Sequence, residues 1–316
     1  QNWYYDLLQE EYGEAMQGIR ENDLKGRQFG ISSLIEGIFA TDFIMSELNY
    51  IPIIDSDVYS YTDKDTKAHT DRFNLFLESY LMQDQGASLE DMETTEGRQA
   101  REAFRKSFLK TDNGNYIEGM RGALYHSQTA SAKVSGRGGT KQNIHWTEPA
   151  FYPNTNILSA EDLMTGAEEQ VAGGTGKIFR ESTGKTRVDY FGKEYLAGKD
   201  GLTEFKSRFI GWYLHPEYAL PVPEGWVRPE YYDKVEATDE QCYWHWLKTG
   251  QLQKPKKMRE YPTHDYEAFI AGGEAFFDAD ALMYALQNVK EVLRKGEYVS
   301  ALWRTGRRRV YCVWWG

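Results

Sequence analysis

The sequence predicts an α/β fold in which a mainly parallel sheet is flanked by helices and carries a smaller attached subdomain. Strand-like and helical runs alternate over residues 1–201, which is typical of parallel strands joined by crossover helices. Three polar motifs in this region each coincide with a strand end or a strand-to-helix turn. Residues 202–275 then change in character, with many Trp, Tyr and Pro residues and few β-branched runs.

The individual elements follow from the spacing of apolar residues. Helical spacing predicts helices over residues 3–20, 34–48, 70–81, 97–109 and 276–295. The run IPIIDSDV (Ile51–Val58) predicts a strand, and shorter strand-like pieces alternate with Gly-rich turns up to Gly201. We therefore divide the chain into a core of residues 1–201, a subdomain of residues 202–275, and a linker helix with a tail over residues 276–316.

Composition limits the class of protein. The formal net charge of −11 argues against a surface coated with basic groups for DNA, although basic residues cluster near residues 254–257 and 304–309. The two cysteines, Cys242 and Cys312, cannot form a disulfide framework and indicate a reducing, intracellular setting. No run of about 18 apolar residues occurs, so we expect no transmembrane helix.

The segment KGRQFGISS (Lys25–Ser33) has the character of a phosphate-binding loop that opens a helix. Gly30 occupies the second glycine position of such a loop and Ser32 its hydroxyl position, whereas Ile31 stands where a lysine is usual. The ammonium group has moved to Lys25, from which it can still reach the β- and γ-phosphates. Ser32 would then bind Mg²⁺, and the helix N-terminus would face the phosphates. An ordinary strand–turn–helix corner is the alternative.

Two other segments compete for this role. The first contains Gly184-Lys185-Thr186, but Phe179 occupies its first glycine position. The second, GGTGKI (Gly173–Ile178), has no Ser or Thr after its lysine. Neither precedes a long apolar helix, so we favour Lys25–Ser33.

A second motif, NIHWTE, ends an apolar strand in Thr147 and Glu148. A carboxylate at that position can polarise an attacking water, although a solvated strand-edge residue is the alternative. Thr147 replaces the aspartate that usually partners Mg²⁺. In the preceding turn GRGGTK (Gly136–Lys141), Arg137 either points at a phosphate, within the chain or across a subunit boundary, or belongs to a flexible hairpin.

The third motif, KIFREST, ends a strand in Glu181, Ser182 and Thr183. These residues are placed to sense the γ-phosphate and to pass its state to the next element. The six histidines show neither HExxH nor paired ligand spacing, so we do not expect a zinc site.

Together these motifs resemble the large terminase subunit of tailed bacteriophages, the ATPase of the DNA-packaging motor. The family's KaRQxGxST loop is matched by KGRQFGISS, its GRG turn and SE-x-AF strand by GRGGTKQNIHWTEPAF, and its EST strand by IFREST. Two later blocks are matched by FKSRFIGWYLHPEY (Phe205–Tyr218) and by EQCYWHW with REYPTHDYEAF (Glu240–Phe269).

The resemblance implies a P-loop NTPase of the additional-strand, catalytic-glutamate type with a small lid subdomain at residues 202–275. It implies ATP and Mg²⁺ as cofactors and makes Glu148 the catalytic base and Arg137 a trans-acting arginine. Ser32 becomes the Mg²⁺ ligand, and Glu181, Ser182 and Thr183 become the coupling residues. The nucleotide-contacting residues by the same comparison are Lys25, Gly26, Arg27, Gln28, Gly30, Ser32, Ser33 and, upstream, Gln9.

The resemblance also implies partners. These are double-stranded DNA, a small terminase subunit and the portal protein of an empty capsid, on which the chain would form a ring of five in the host cytoplasm without a membrane. The family's nuclease domain is not matched after Phe269, because the tail RRRVYCVWWG contains no metal-binding aspartate. We therefore expect no nuclease activity. Another P-loop nucleic-acid translocase and a catalytically impaired terminase remnant stay open as alternatives.

Overall fold

The computed structural model describes residues 2–84, 94–130, 139–153, 159–233, 235–250, 252, 258–270, 301–305 and 308–312. It divides into two units, residues 1–273 and 274–316. The predicted helix at residues 276–295 lies outside the described residues. The second unit contributes an antiparallel hairpin of β9 (Ala301–Thr305) and β10 (Arg308–Cys312).

An eight-stranded sheet forms the centre of the first unit. Its strands are β1 (Arg20–Lys25), β2 (Asp55–Ser60), β3 (Leu109–Asp112), β4 (Tyr116–Gly119), β5 (Leu124–Thr129), β6 (Asn143–Thr147), β7 (Lys177–Ser182) and β8 (Lys206–Ile210). Their order across the sheet is β3-β4-β5-β2-β6-β7-β1-β8. The pairs from β5 to β8 are parallel, and β3 and β4 add an antiparallel edge.

This strand order confirms the predicted fold class. The strand that precedes the loop at Lys25, β1, is not the neighbour of β6, the strand that precedes Glu148. Instead β7 lies between them and pairs with both in parallel. An inserted strand at this position defines the additional-strand type of P-loop NTPase fold, and the carboxyl ends of all three strands meet at one sheet edge.

Eight helices are described in the first unit. They are α1 (Asn2–Tyr12), α2 (Ile31–Glu47), α3 (Asp63–Asp84), α4 (Thr95–Phe108), α5 (Ala160–Glu168), α6 (Tyr190–Lys199), α7 (Asp239–Gly250) and α8 (Asp265–Ile270). The first helix is shorter than predicted, because Gly13 and Gly18 adopt positive φ angles of 75° and 70° and end the helical path. β2 also begins later than the predicted strand, at Asp55.

Helices cover both faces of the sheet. Successive strand residues point to opposite faces, so neighbouring residues of one strand pack against different helices. On one face, Phe179 and the apolar side chains of α1, α2 and α3 form a single core. On the other face, Ile178 packs with α5, and a separate cluster forms around α6. Parallel strands covered on both faces are ordinarily apolar throughout.

β1 departs from that rule. All six of its residues are buried, yet Glu21, Asn22 and Asp23 occupy its middle. The Glu21 carboxylate accepts hydrogen bonds from Arg208 on β8, at 2.6 and 3.0 Å. The Asp23 carboxylate accepts one from the Tyr4 hydroxyl of α1. Polar partners from neighbouring elements thus make a strand that apolar periodicity does not reveal.

Asp23 makes the stability of the fold depend on pH. Burial, together with the nearby Glu181 carboxylate, raises the pKa of Asp23 to about 7, against the opposing effects of Tyr4, Lys25 and His145. The folded chain therefore binds this proton more tightly than the unfolded chain, whose aspartate titrates near ~3.9. The stability from the neutral carboxyl is complete below that value and is lost as the pH rises through about 7.

We expect Asp23→Asn, a neutral replacement of the same shape, to be more stable than the parent above pH 8, with a clearly smaller advantage at pH 5 that vanishes only below about pH 4. Urea unfolding at both pH values measures the difference, with Asp6→Asn on the exposed side of α1 as the control. A parent protein that stays ahead of Asp23→Asn at high pH would contradict the raised pKa.

An aromatic cluster forms within the predicted lid segment. Trp212, Tyr218, Tyr232 and Tyr261 are buried there with Cys242. The lid prediction placed β8 in this segment, yet β8 is hydrogen-bonded to β1 in the main sheet. The boundary near residue 202 stays a prediction. Among the described helices, none is both long enough and apolar enough to cross a membrane.

Candidate active site

A cleft of about 440 Å³ lies at the sheet edge where β1, β6 and β7 end. Its volume falls within the usual range for small-molecule sites, roughly 300–1,000 Å³. Six residues predicted from the sequence line it: Lys25, Arg27, Gln28, Ser32, Glu148 and Thr183. The fold therefore brings four residues of the first motif and one residue from each of the other two to the same place.

Lys25 is the centre of this site. Its Nζ lies 3.1 Å from Glu148 Oε1 and 2.9 Å from Glu181 Oε2, and the residue is only 8% exposed. Burial alone would lower the pKa of Lys25, but the two carboxylates outweigh it and raise the pKa above its usual value. The displaced ammonium is thus charged and points to the carboxylates of the second and third motifs.

Glu181 connects that ammonium to the loop. Its Oε1 accepts a hydrogen bond of 2.7 Å from the hydroxyl of Ser32, in the first turn of α2. Burial favours the neutral acid, but Lys25 and His145 hold the pKa of Glu181 well below its usual range. Glu181 is therefore an anion that positions both Lys25 and Ser32.

Glu148 is fixed by the chain that follows β7. Its Oε2 accepts hydrogen bonds from the amide of Thr183 at 2.9 Å, the Thr183 hydroxyl at 3.0 Å and the Ser182 hydroxyl at 3.2 Å. Its backbone has φ 54° and ψ 44°, the left-handed region that side chains other than glycine rarely adopt. Such a conformation costs on the order of 1–3 kcal/mol and persists only where the surroundings impose it.

The loop itself is held by residues far along the chain. The amides of Gly26 and Arg27 donate to the carbonyls of Ile210 and Glu260, at 2.9 and 3.1 Å. The Tyr218 hydroxyl donates to the Arg27 carbonyl at 2.9 Å, and the Arg27 guanidinium pairs with the Glu260 carboxylate. Gln28 and Gly30 take positive φ angles of 62° and 70°, which turn the chain into α2.

The remaining predicted residues lie around this cleft or elsewhere. Gly26, Gly30, Glu181 and Ser182 support it through the contacts above. Ser33 lines a second cleft, of about 350 Å³, beside α1. Gln9 lies on α1, where its amide is 3.5 Å from the Tyr5 hydroxyl. Arg137 lies outside the described residues, and its role stays a prediction.

Several lining residues were missed by the sequence reasoning. Tyr61, Asp65, His69 and Arg72 follow the end of β2 or belong to α3, and Phe151, Arg259 and Glu260 complete the wall. Tyr61, Asp65, His69 and Arg72 belong to no recognised motif, whereas Phe151, Arg259 and Glu260 lie in the matched blocks but were not assigned to the site. The available signal was positional, because β2 runs parallel beside β6 and the residues after both strands reach the same edge.

The chemistry of this lining fits a nucleoside triphosphate with magnesium. Among the residues that the structure describes, four cations line the cleft, namely Lys25, Arg27, Arg72 and Arg259, and they complement phosphate charge. The Ser32 hydroxyl and the Glu148 and Asp65 carboxylates offer the oxygen ligands that Mg²⁺ takes.

The competing lysine segments have other positions. Thr186 donates its amide and hydroxyl to the Asp189 carboxylate that caps α6. Lys177 lies within β7 and pairs with Asp42. Ile31, at the usual lysine position, packs in the core beside α1 and α3.

Neither a protein-family model nor a curated protein matches the chain. Solved structures do. The Thermus phage P74-26 large terminase ATPase domain is 15% identical with a TM-score of 0.46, over 83% of this chain and 96% of that one. The HK97 bacteriophage large terminase is 10% identical with a TM-score of 0.44, over 77% of this chain and 46% of that one.

A third similar structure is the large terminase of the thermophilic bacteriophage D6E, 11% identical with a TM-score of 0.37, over 66% of this chain and 44% of that one. The matched part of this chain spans less than half of the HK97 and D6E proteins. Because these TM-scores lie below 0.5, the fold class rests on the strand order of this chain. All three structures belong to the family that the sequence motifs resemble.

Proposed function

We propose that this chain is the ATPase part of a phage large terminase, which couples ATP hydrolysis to the translocation of double-stranded viral DNA into a procapsid. The observation that carries the ATPase assignment is the convergence of Lys25, Ser32 and Glu148 on one cleft, with Thr183 bonded to the glutamate. The translocation assignment rests on the motif resemblance.

Each residue has a distinct task in this proposal. Lys25 and Arg27 bind the phosphates, and Ser32 with nearby carboxylates holds Mg²⁺, which supplies neutralisation of phosphate charge when bound. Glu148 orients a water molecule and takes its proton. Thr183 and Ser182 donate hydrogen bonds to Oε2, the Glu148 oxygen that does not take the proton. The loss of negative charge on Glu148 would therefore weaken these hydrogen bonds directly.

Phosphate binding requires two exchanges of partners. The Lys25 ammonium must exchange its contact with the Glu148 carboxylate for a contact with a phosphate oxygen. The Arg27 guanidinium must likewise exchange its contact with Glu260. Both exchanges replace a carboxylate by a phosphate oxygen, so no buried cation loses its counter-charge. The first exchange also frees Glu148 Oε1 to accept a proton from water.

The partners proposed for the whole assembly follow from the resemblance. They are the portal protein, a small terminase subunit and four further copies of this chain, at the portal vertex in the host cytoplasm. Gly26, Gln28, Gly30, Ser33 and Gln9 keep their proposed nucleotide-binding roles, and Glu181 keeps its coupling role.

ATP hydrolysis by the purified protein, with and without double-stranded DNA, tests the proposal. Hydrolysis that DNA accelerates, without strand separation, supports it. Nucleotide binding without hydrolysis would instead identify an impaired remnant. Unwinding of a duplex would identify another kind of translocase.

Arg137 is proposed to act across a subunit boundary on the neighbour's phosphates. Arg137→Ala and Glu148→Gln proteins should each be nearly inactive alone. Mixing them should restore part of the hydrolysis, because some interfaces then pair an intact Arg137 with an intact Glu148. If both variants assemble and mixing restores nothing, Arg137 acts within its own subunit or only shapes the turn.

A further inference from the structure

Three buried side chains from three different elements meet behind the candidate active site. Glu36 belongs to α2, His69 to α3 and His145 to β6, and their exposed fractions are 0%, 3% and 0%. One ligand atom from each lies within 4.8 Å of the other two. Sequence spacing gave no indication of this cluster, because the fold joins residues 33 to 109 positions apart.

One separation in the cluster matches that between ligands of a small cation, and the other is a hydrogen bond that the ion would replace. Glu36 Oε1 lies 2.8 Å from His69 Nδ1 and 3.4 Å from His145 Nδ1. Tetrahedral zinc with bonds near ~2.1 Å holds its ligand atoms roughly 3.4 Å apart. His145 Nδ1 is fully buried and makes no hydrogen bond within the described part of the chain. In the neutral tautomer that carries its proton on Nε2, this nitrogen would present a lone pair toward Glu36.

The surroundings resemble the outer partners of metal ligands. The Tyr125 hydroxyl donates to the second Glu36 oxygen at 2.7 Å. The other ring nitrogen of His145, Nε2, lies 3.3 Å from Glu181 Oε1. A histidine that binds a metal through one nitrogen almost always donates its other N–H to a carboxylate or carbonyl, which fixes its tautomer.

Charge balance also calls for a cation. Glu36 and Glu181 are both fully buried, and a buried carboxylate is costly unless a positive partner neutralises it. Lys25 serves Glu181, but its Nζ contacts no oxygen of Glu36. The positive charge beside Glu36 must come from the two imidazoles that face it or from an ion.

We propose that Glu36, His69 and His145 bind one divalent transition-metal ion of the zinc class, with water as a fourth ligand. His69 also lines the active-site cleft, which provides a path for entry. The Arg72 guanidinium, 3.4 Å from His69 Nδ1, competes with the ion for that nitrogen. Because His145 contacts Glu181, the bound ion would restrict the motion of the Glu181 carboxylate, which positions Lys25 and Ser32.

Cobalt(II) is the probe, because tetrahedral nitrogen and oxygen ligands give it a strong visible absorption. Chelator-treated protein should bind one equivalent at micromolar concentration, and one equivalent of Zn²⁺ should displace it. His69→Gln and His145→Gln should each weaken binding more than about 100-fold, beyond the 10–100-fold typical of outer partners. His264→Gln, remote from the cluster in sequence, should bind cobalt as the parent does.

Arg72→Gln should change the cobalt affinity in the opposite direction, because loss of a competing positive charge should tighten cobalt binding. Absence of stoichiometric binding by the parent protein overturns the proposal and assigns the charge to protons. Equal binding by the parent, His69→Gln and His145→Gln overturns it as well. Circular dichroism checks folding, and the titration of the parent decides the matter even if a histidine variant does not fold.

Discussion

Glu148→Gln will leave ATP binding intact and lower ATP hydrolysis by about 10²–10⁴-fold, the usual effect of losing a general base. The amide has the shape of the carboxylate, and its oxygen can still accept the hydrogen bonds from Thr183 and Ser182. What it lacks is the capacity to take a proton. Lys25 keeps its second partner, Glu181, so the cleft should retain its charge arrangement.

Steady-state phosphate release measures this effect, and titration with a non-hydrolysable ATP analogue verifies that binding survives. Glu161→Gln on the exposed first turn of α5 is the matched control and should change neither quantity. Undiminished turnover by Glu148→Gln would remove the assignment and direct attention to Asp65, another carboxylate that lines the cleft.

Lys25→Met will destabilise the fold by about 3–5 kcal/mol and will abolish or strongly weaken nucleotide binding. Removing one partner of a buried ion pair leaves uncompensated charge, and here Glu148 and Glu181 both lose their cation. Methionine keeps most of the side-chain volume, so the loss reports charge more than packing. A lysine at Ile31 is not required, because that side chain lies in the apolar core.

Urea unfolding gives the change in stability, and calorimetric titration with the ATP analogue gives the affinity. Lys67→Met is the control, since Lys67 pairs with Asp71 on an exposed helix surface and such pairs contribute about 0–1 kcal/mol. Adding Glu148→Gln to Lys25→Met should recover part of the stability, because one unpaired charge is removed. Unchanged stability and affinity in Lys25→Met would leave Arg27 as the principal phosphate contact.

The sequence was most informative where local patterns decide the structure. The helix after Ser32 and the strand before Glu148 follow from apolar periodicity, and the three motifs identify the residues that meet in the cleft. Parallel strands then bring their carboxyl ends to one edge, so the convergence of Lys25, Glu148 and Thr183 follows from the fold class alone.

Long-range polar partners could not be predicted in the same way. β1 lacks an apolar pattern, since its stability as a buried strand depends on Tyr4 and Arg208 from other elements. The positions of Glu36, His69 and His145 in the sequence match no known ligand spacing. Such contacts depend on which elements pack together, and local periodicity contains no information about that.

The way in which the loop is held has a consequence for the order of events during synthesis. Arg27 and Gln28 are held by hydrogen bonds to His215, Tyr218 and Glu260, which lie 187 to 233 positions later in the chain. A ribosome adding about 5–20 residues per second needs on the order of 10–50 s to supply them. During that time the proposed phosphate loop lacks these partners, so we expect that nucleotide does not guide the early folding of the sheet.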